Sequence, residues 1–291
     1  MFCLAARYIL IILFLAPFFW KIGACADQLM DNPKPAFLTE YYELKQQSST
    51  KAEKPRAHSL KKNEGNGGVN SDGVYIVKEP YSEYEEAMIV MVAGNFANAA
   101  VIFESIFLQH PSSKIAPDAL LMAAFSSYKA NKIPDAVAYL DDFIHLYKFN
   151  ENIPYAYYLK ALAYYNILPY TERDLSSVKE ALILFARVVE FFPQSEYAQA
   201  SKEKILFLRN ILAQSEIKTG VFYLKSGDIN AALPRFYTVL KNYSNTVFLP
   251  EALYRVAEVY NMLGLENLAG KYRDILNRDF EDTKWCKLLT K

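Results

Sequence analysis

Residues 99–111 read AAVIFESIFLQHP, residues 181–193 read ALILFARVVEFFP and residues 232–244 read ALPRFYTVLKNYS. Each begins with an alanine and places a phenylalanine four positions on and a branched aliphatic residue seven positions on: Ala99, Phe103 and Ile106; Ala181, Phe185 and Val188; Ala232, Phe236 and Val239. Steps of four and seven put three side chains on one stripe of a helix. Twelve positions on stand Pro111, Pro193 and Ser244; a proline there cannot continue the helix. Upstream of the blocks, and again near the C-terminus, runs a helical pattern with a small residue and a large one three later: Ala87 and Val90, Ala161 and Tyr164, Gly220 and Tyr223, Ala257 and Tyr260. A glycine follows at one position in three units, at Gly94, Gly227 and Gly264. The small residue lets a second helix cross closely and the large one fills the space beside it.

The recurrence lies near 34 residues, the length of a helix-turn-helix repeat. Units at about 80–113, 117–150, 154–193, 196–246 and 250–280 make five, with an insert at 168–176 (LPYTERDLS) and an extended helix over 196–226. The spacing predicts an all-α, tetratricopeptide-like solenoid of five helix hairpins. Hairpins that are apolar on two sides must stack, and stacking creates a concave groove.

Ahead of the repeats, residues 8–20 (YILIILFLAPFFW) form thirteen apolar positions behind Arg7. A membrane span needs about 20, so the stretch reads as a secretory signal. Its end admits two cleavages: after Ala26, using Ala24-Cys25-Ala26, or before Cys25, using Ile22-Gly23-Ala24-Cys25 as a lipoprotein box. The second gives Cys25 a function as the lipid-attachment site; simple secretion and an uncleaved anchor are the alternatives. Residues 45–73 (KQQSSTKAEKPRAHSLKKNEGNGGVNSDG) hold only four apolar side chains, too few to offset the entropy of ordering them. The expected organisation is a signal peptide over 1–24, a lipidated N-terminus and flexible tether over 25–78, with a local turn of structure in residues 36–45, and a repeat domain over 79–291.

Charge and cysteine content narrow the function classes. The chain carries 32 basic and 32 acidic residues; removing residues 1–24 takes Arg7 and Lys21 and leaves a net charge of −2. No nucleic-acid footprint results. Of three cysteines, Cys3 lies in the signal and Cys25 at the box, which leaves Cys286 without an intramolecular partner. His58, His110 and His145 are far apart, Asp141 and Asp142 point to different sides of one helix, and the glycine-rich residues 65–73 lack a flanking strand and helix. No catalytic, metal or cofactor site is expected, and Arg173 with Asp174 reads as a local ion pair.

At this level of detail the chain resembles the outer-membrane assembly factor family BamD, also called ComL, whose members are tetratricopeptide lipoproteins. The resemblance covers about 81–288 and the lipoprotein box. It is carried by YYNILPYTERD (164–174), FFPQSEYAQASKEKILFLRNILAQSEIKTGVFYLKSGD (191–228) and DTKWCKLL (282–289). The polar segment ahead of the repeats is longer than the family usually shows. The resemblance implies a lipid-anchored protein on the periplasmic face of the outer membrane. Its partners would be the POTRA domains of the BamA insertase, unfolded outer-membrane proteins and accessory Bam lipoproteins. It further implies that the first three repeats take the client's C-terminal aromatic signal and the last two hold the insertase, with Arg235 at the contact. A periplasmic adaptor for other envelope or division proteins is the second reading; a peptidoglycan-active enzyme is remote, because the repeats leave no room for a lytic domain.

The repeat register also nominates groove residues. Tyr84 and Met88 in repeat one, Phe125 and Tyr128 in repeat two, and Tyr155, Tyr158 and Tyr165 in repeat three make a client-peptide wall of aromatics and methionine, suited to degenerate apolar peptides. Repeats four and five offer Gln214, Ile217, Glu251, Glu258 and Asn261, a more polar set. The competing reading makes the aromatics ordinary inter-repeat core, or covers them with residues 36–45 of the same chain.

Overall fold

The computed structural model describes residues 79–167 and 174–289, together with Glu43, all within the compact unit Glu40–Lys291. The signal segment, Cys25, the tether other than Glu43, and residues 168–173 of the insert lie outside the described residues. Among the described residues, ten helices pair into five antiparallel hairpins: α1 (Pro80–Val92) with α2 (Phe96–Gln109), α3 (Ala116–Lys129) with α4 (Ile133–Leu146), α5 (Ile153–Asn166) with α6 (Ser176–Phe191), α7 (Glu196–Lys225) with α8 (Ile229–Asn242), and α9 (Leu249–Met262) with α10 (Glu266–Asp279). A short α11 (Lys284–Leu289), which the repeat pattern did not announce, packs back on the last hairpin. No strand occurs among the described residues.

The stripe read from the sequence is the hairpin core. Ala99, Phe103 and Ile106 on α2, Ala181, Phe185 and Val188 on α6, and Ala232, Phe236 and Val239 on α8 are all fully buried. Repeat two repeats the stripe with Leu140 in place of phenylalanine, between Ala136 and Phe143. Each such aromatic contributes about 1.5–3 kcal/mol of transfer free energy. Prolines at the first turns of α1, α3, α4, α5 and α9 start helices where their missing N–H costs nothing.

Turns within hairpins use left-handed residues: Gly94, Gly227 and Gly264 have φ of 86°, 80° and 72°. Repeat two makes the same turn with Asn131 at φ 59°; asparagine tolerates the left-handed region, so a search for glycine alone misses it. Gly220 serves a different purpose. A Cβ there would lie 2.5 Å from Cε1 of Phe236, so the glycine sets the approach of α7 to α8.

Helix α7 runs 30 residues, about 45 Å at 1.5 Å per residue, because no proline interrupts it. It packs against both α6 and α8, and Gly220 in its second half meets Phe236 of α8. In its middle, Arg209 Nη2 donates to the carbonyl of Asn242 at the end of α8 (2.5 Å), and Asn210 Oδ1 accepts from the Val247 amide (3.0 Å). One helix thus ties the third repeat to the turn leading into the fifth.

Candidate functional site

The first helices of repeats one to three, α1, α3 and α5, bring the nominated client residues together, but as interior and not as an open wall. Tyr158 is 0% exposed, Met88 2%, Phe125 3%, Tyr155 5% and Tyr128 7%; Tyr84 and Tyr165 are half-buried. Much of this burial is inter-helix core. Tyr158 sits between the rings of Phe185 (5.7 Å) and Tyr197 (5.4 Å), Tyr155 meets Tyr197 (5.5 Å), Tyr165 lies against Phe185 and Phe207, and Tyr84 meets Phe103 edge-on (5.1 Å). The expectation of open aromatics is therefore corrected: these rings pack against neighbouring helices at the spacing that also fits a groove, and the repeat register cannot distinguish the two.

Polar groups in the same interior are satisfied locally. Asn166 Nδ2 on α5 donates to the Tyr128 hydroxyl on α3 (2.6 Å), and Ser126 Oγ donates to Met91 Sδ on α1 (3.4 Å). Burial pushes the Tyr128 phenol up to about 12, against the opposing effect of the Asn166 bond. Cations border the rings: Lys129 Nζ lies 5.5 Å from the Phe125 centroid and Lys204 Nζ 5.6 Å from that of Tyr165.

Repeats four and five present different chemistry. Arg255 on α9 bonds Glu258 (2.8 Å), approaches Glu251 (3.9 Å) and lies over the rings of Tyr254 (5.5 Å) and Trp285 (5.3 Å). Burial raises the Glu251 carboxyl pKa, with Arg255 and Lys284 acting in the opposite direction. The sequence reading found Glu251 and Glu258 but missed Arg255 and Trp285. The alternation of charge at positions 251, 255 and 258, one helical stripe, was the signal available for Arg255.

Arg235, nominated as the insertase contact, is exposed on α8 but already paired: its Nη1 lies 3.3 Å from Glu216 Oε2 on α7. The stripe that buries Ala232, Phe236 and Val239 sets Arg235 beside α7. Asp141 and Asp142 are exposed, and Asp141 pairs with Lys160. Arg173 lies outside the described residues, while Asp174 accepts from the Ser176 amide (2.9 Å) at the start of α6. Cys286 is free and buried, with its Sγ 3.1 Å from Asn277 Oδ1. Among the described residues no His, Cys, Asp and Glu cluster could hold a metal ion, and no helix is long and apolar enough to cross a membrane.

Comparison with known proteins adds three findings. The family described as YfiO, outer membrane lipoprotein, matches residues 78–275. The outer membrane protein assembly factor BamD of Rickettsia prowazekii is 39% identical over 75% of this chain and 88% of its own length, and that of Caulobacter vibrioides is 32% identical over 72% and 71%. Among solved structures, the thermophilic TPR protein TTC0263 of Thermus thermophilus aligns at 15% identity with a TM-score of 0.33, covering 73% of this chain and 100% of that one; the fold assignment rests on the chain's own hairpins.

Proposed function

The chain belongs to the BamD family of outer membrane protein assembly factors, and we propose that it is the lipid-anchored, periplasm-facing subunit of a β-barrel assembly machine. In this reading Cys25 carries the lipid, repeats four and five engage the POTRA domains of the BamA insertase near Arg235, and repeats one to three receive the C-terminal ends of unfolded outer-membrane proteins. Accessory Bam lipoproteins complete the set of partners. The observation that carries the reading is the extent of the family match, residues 78–275, which reaches from the first hairpin into the fifth and so includes both halves of the solenoid.

The division of labour follows the chemistry of the two halves. On α1 and α5 the half-buried Tyr84 and Tyr165 offer apolar surface that suits peptide ends of varied sequence. Ionic groups on α8 and α9 suit a folded, charged partner domain, where complementary charge gives specificity and on-rate.

Affinity purification of the tagged chain from detergent-solubilised membranes tests the reading. A barrel protein bearing POTRA domains should be recovered in stoichiometric amount, and intact-mass analysis of the same eluate should show acyl chains at Cys25. Recovery of division or wall-remodelling proteins without a barrel would favour the adaptor reading instead.

A further inference from the structure

A recess of about 600 Å³ opens between the second half of α4 and the start of α5. Ile144 and Tyr157, both half-buried, supply its apolar lining, and the Phe192 ring lies 6.0 Å from that of Tyr157. Asp141, Asp142, His145 and Lys148 complete it, and all four are exposed. Asp141 is committed to Lys160 on α5. Among the described residues, Asp142, His145 and Lys148 have no hydrogen bond or ion pair. Beside them Leu146 is 56% exposed, and Phe149, the residue after Lys148, is fully exposed. Apolar groups ringed by charges of both signs have the composition of a docking surface.

The charges are placed symmetrically. Asp142 lies three residues before His145 and Lys148 three after it, about 4.5 Å along the axis to either side. Counted from the alanine that opens each stripe, the other second helices hold at most one charge at these two places: α6 has Arg187 with Pro193, and α10 has Ile275 with Glu281. A surface whose charge changes sign about its own midpoint complements itself when turned end for end. In a two-fold contact, residue i of one copy meets j of the other and j meets i.

We propose that a second copy of this chain docks on this face, α4 against α4 and antiparallel, about a two-fold axis at His145. Each Asp142 then faces Lys148 of the other copy, and Phe149 of each copy comes level with Asp141 of the other, at the recess. A second copy is the occupant because α4 itself supplies the acid, the base and the bare aromatic at the spacing that the face requires. The contact is small: α4 has 14 residues, about 21 Å of helix, and one pair of helices of that length belongs to the transient class that buries under about 1,200 Å². The inference does not rest on the partners proposed above.

The test measures energy transfer between donor-labelled and acceptor-labelled copies of the full chain in detergent. The parent should associate with a Kd on the order of 10–100 μM, as a contact of this size implies. Asp142→Lys alone and Lys148→Asp alone should each weaken association at least about tenfold, because like charges then face each other twice. Mixed together, the two single variants should associate as tightly as the parent, since one brings two cations to the contact and the other two carboxylates. Phe149→Ser should weaken the parent contact about tenfold and leave helicity unchanged. No association of the parent at about 1 mM, association indifferent to either charge reversal, or a mixture that fails to recover would each overturn the proposal. Because no insertase or client is present, failure here leaves the assembly-factor reading untouched.

Discussion

Helices α3 and α9 occupy the same place in their hairpins, are each 14 residues long, and align without a gap: APDALLMAAFSSYK against LPEALYRVAEVYNM. Both carry proline at the second position and an acid at the third. Ala119, Leu120, Ala123 and Ala124 on α3 match Ala252, Leu253, Val256 and Ala257 on α9, and all eight are buried. The helices part at the concave positions, where Leu121, Met122, Phe125 and Tyr128 stand opposite Tyr254, Arg255, Glu258 and Asn261. One set is apolar and buried; the other is an ion-paired cluster roofed by Trp285. The shared positions set the solenoid, and the divergent ones give its two halves different surfaces.

The comparison breaks first at Tyr158. Truncating a fully buried aromatic typically costs about 3–5 kcal/mol, and Tyr158 touches both Phe185 and Tyr197. Tyr158→Ala should therefore lower stability by that amount in urea or thermal unfolding followed by circular dichroism. A loss under about 1 kcal/mol would mean that the ring faces an open groove after all. In the other half, Gly220→Val should cost about 2–3 kcal/mol. A Cβ 2.5 Å from the fully buried Phe236 ring overpacks the α7–α8 contact, and a β-branched residue adds little helix propensity in return. An unchanged melting curve would show that Phe236 can move aside.

Legibility divided along the same line. The stripe of Ala99, Phe103 and Ile106 and its two copies declared the fold, because inward spacing along a helix is dictated by geometry alone. The concave wall was harder. Tyr158 at its place in α5 is equally consistent with a peptide contact and with a ring wedged between Phe185 and Tyr197, since both faces of a central helix recur with one period. Arg235 was nominated through the family resemblance, and its partner Glu216 lies 19 residues away on another helix, a distance that no local pattern encodes. Trp285 escaped for a similar reason: α11 follows the last repeat and belongs to no period.

A smaller effect is expected where α8, α9 and α10 meet. The hydroxyl of Tyr237 on α8 lies 2.7 Å from that of Tyr260 on α9 and 2.7 Å from that of Tyr272 on α10. Burial and the two flanking phenols hold the Tyr237 pKa well above its ordinary value. Tyr237→Phe removes the shared member of two hydrogen bonds, and at about 0.5–1.5 kcal/mol net per hydrogen bond the loss should be about 1–3 kcal/mol. Amide exchange should quicken in α10 and remain as it was in α3. A change spread evenly over both halves would argue that the solenoid unfolds as one unit and that the contrast between them is only one of surface chemistry.

The smallest stability effect, and the sharpest on partner choice, belongs to Arg235. Its side chain is 45% exposed and that of Glu216 25%, so screening leaves an ion pair worth about 0–1 kcal/mol. Arg235→Glu should thus shift the melting temperature very little, although it places two carboxylates together. If Arg235 also meets a carboxylate on a POTRA domain and is desolvated there, the same change should weaken that complex by about 2–5 kcal/mol. The single variant cannot tell whether the partner reads Arg235 itself or the α7–α8 surface that the pair holds in place. The exchange Arg235→Glu/Glu216→Arg can, because it restores the internal pair while reversing the charge at each position. Binding that stays weak in the exchanged chain, measured by titration calorimetry against the isolated POTRA domains, makes Arg235 a direct contact. Binding restored to the parent value makes it a positioning residue for α7 and α8. Lys241→Glu, an exposed charge on the same helix, supplies the reference: it should leave both stability and affinity within about 0.5 kcal/mol of the parent.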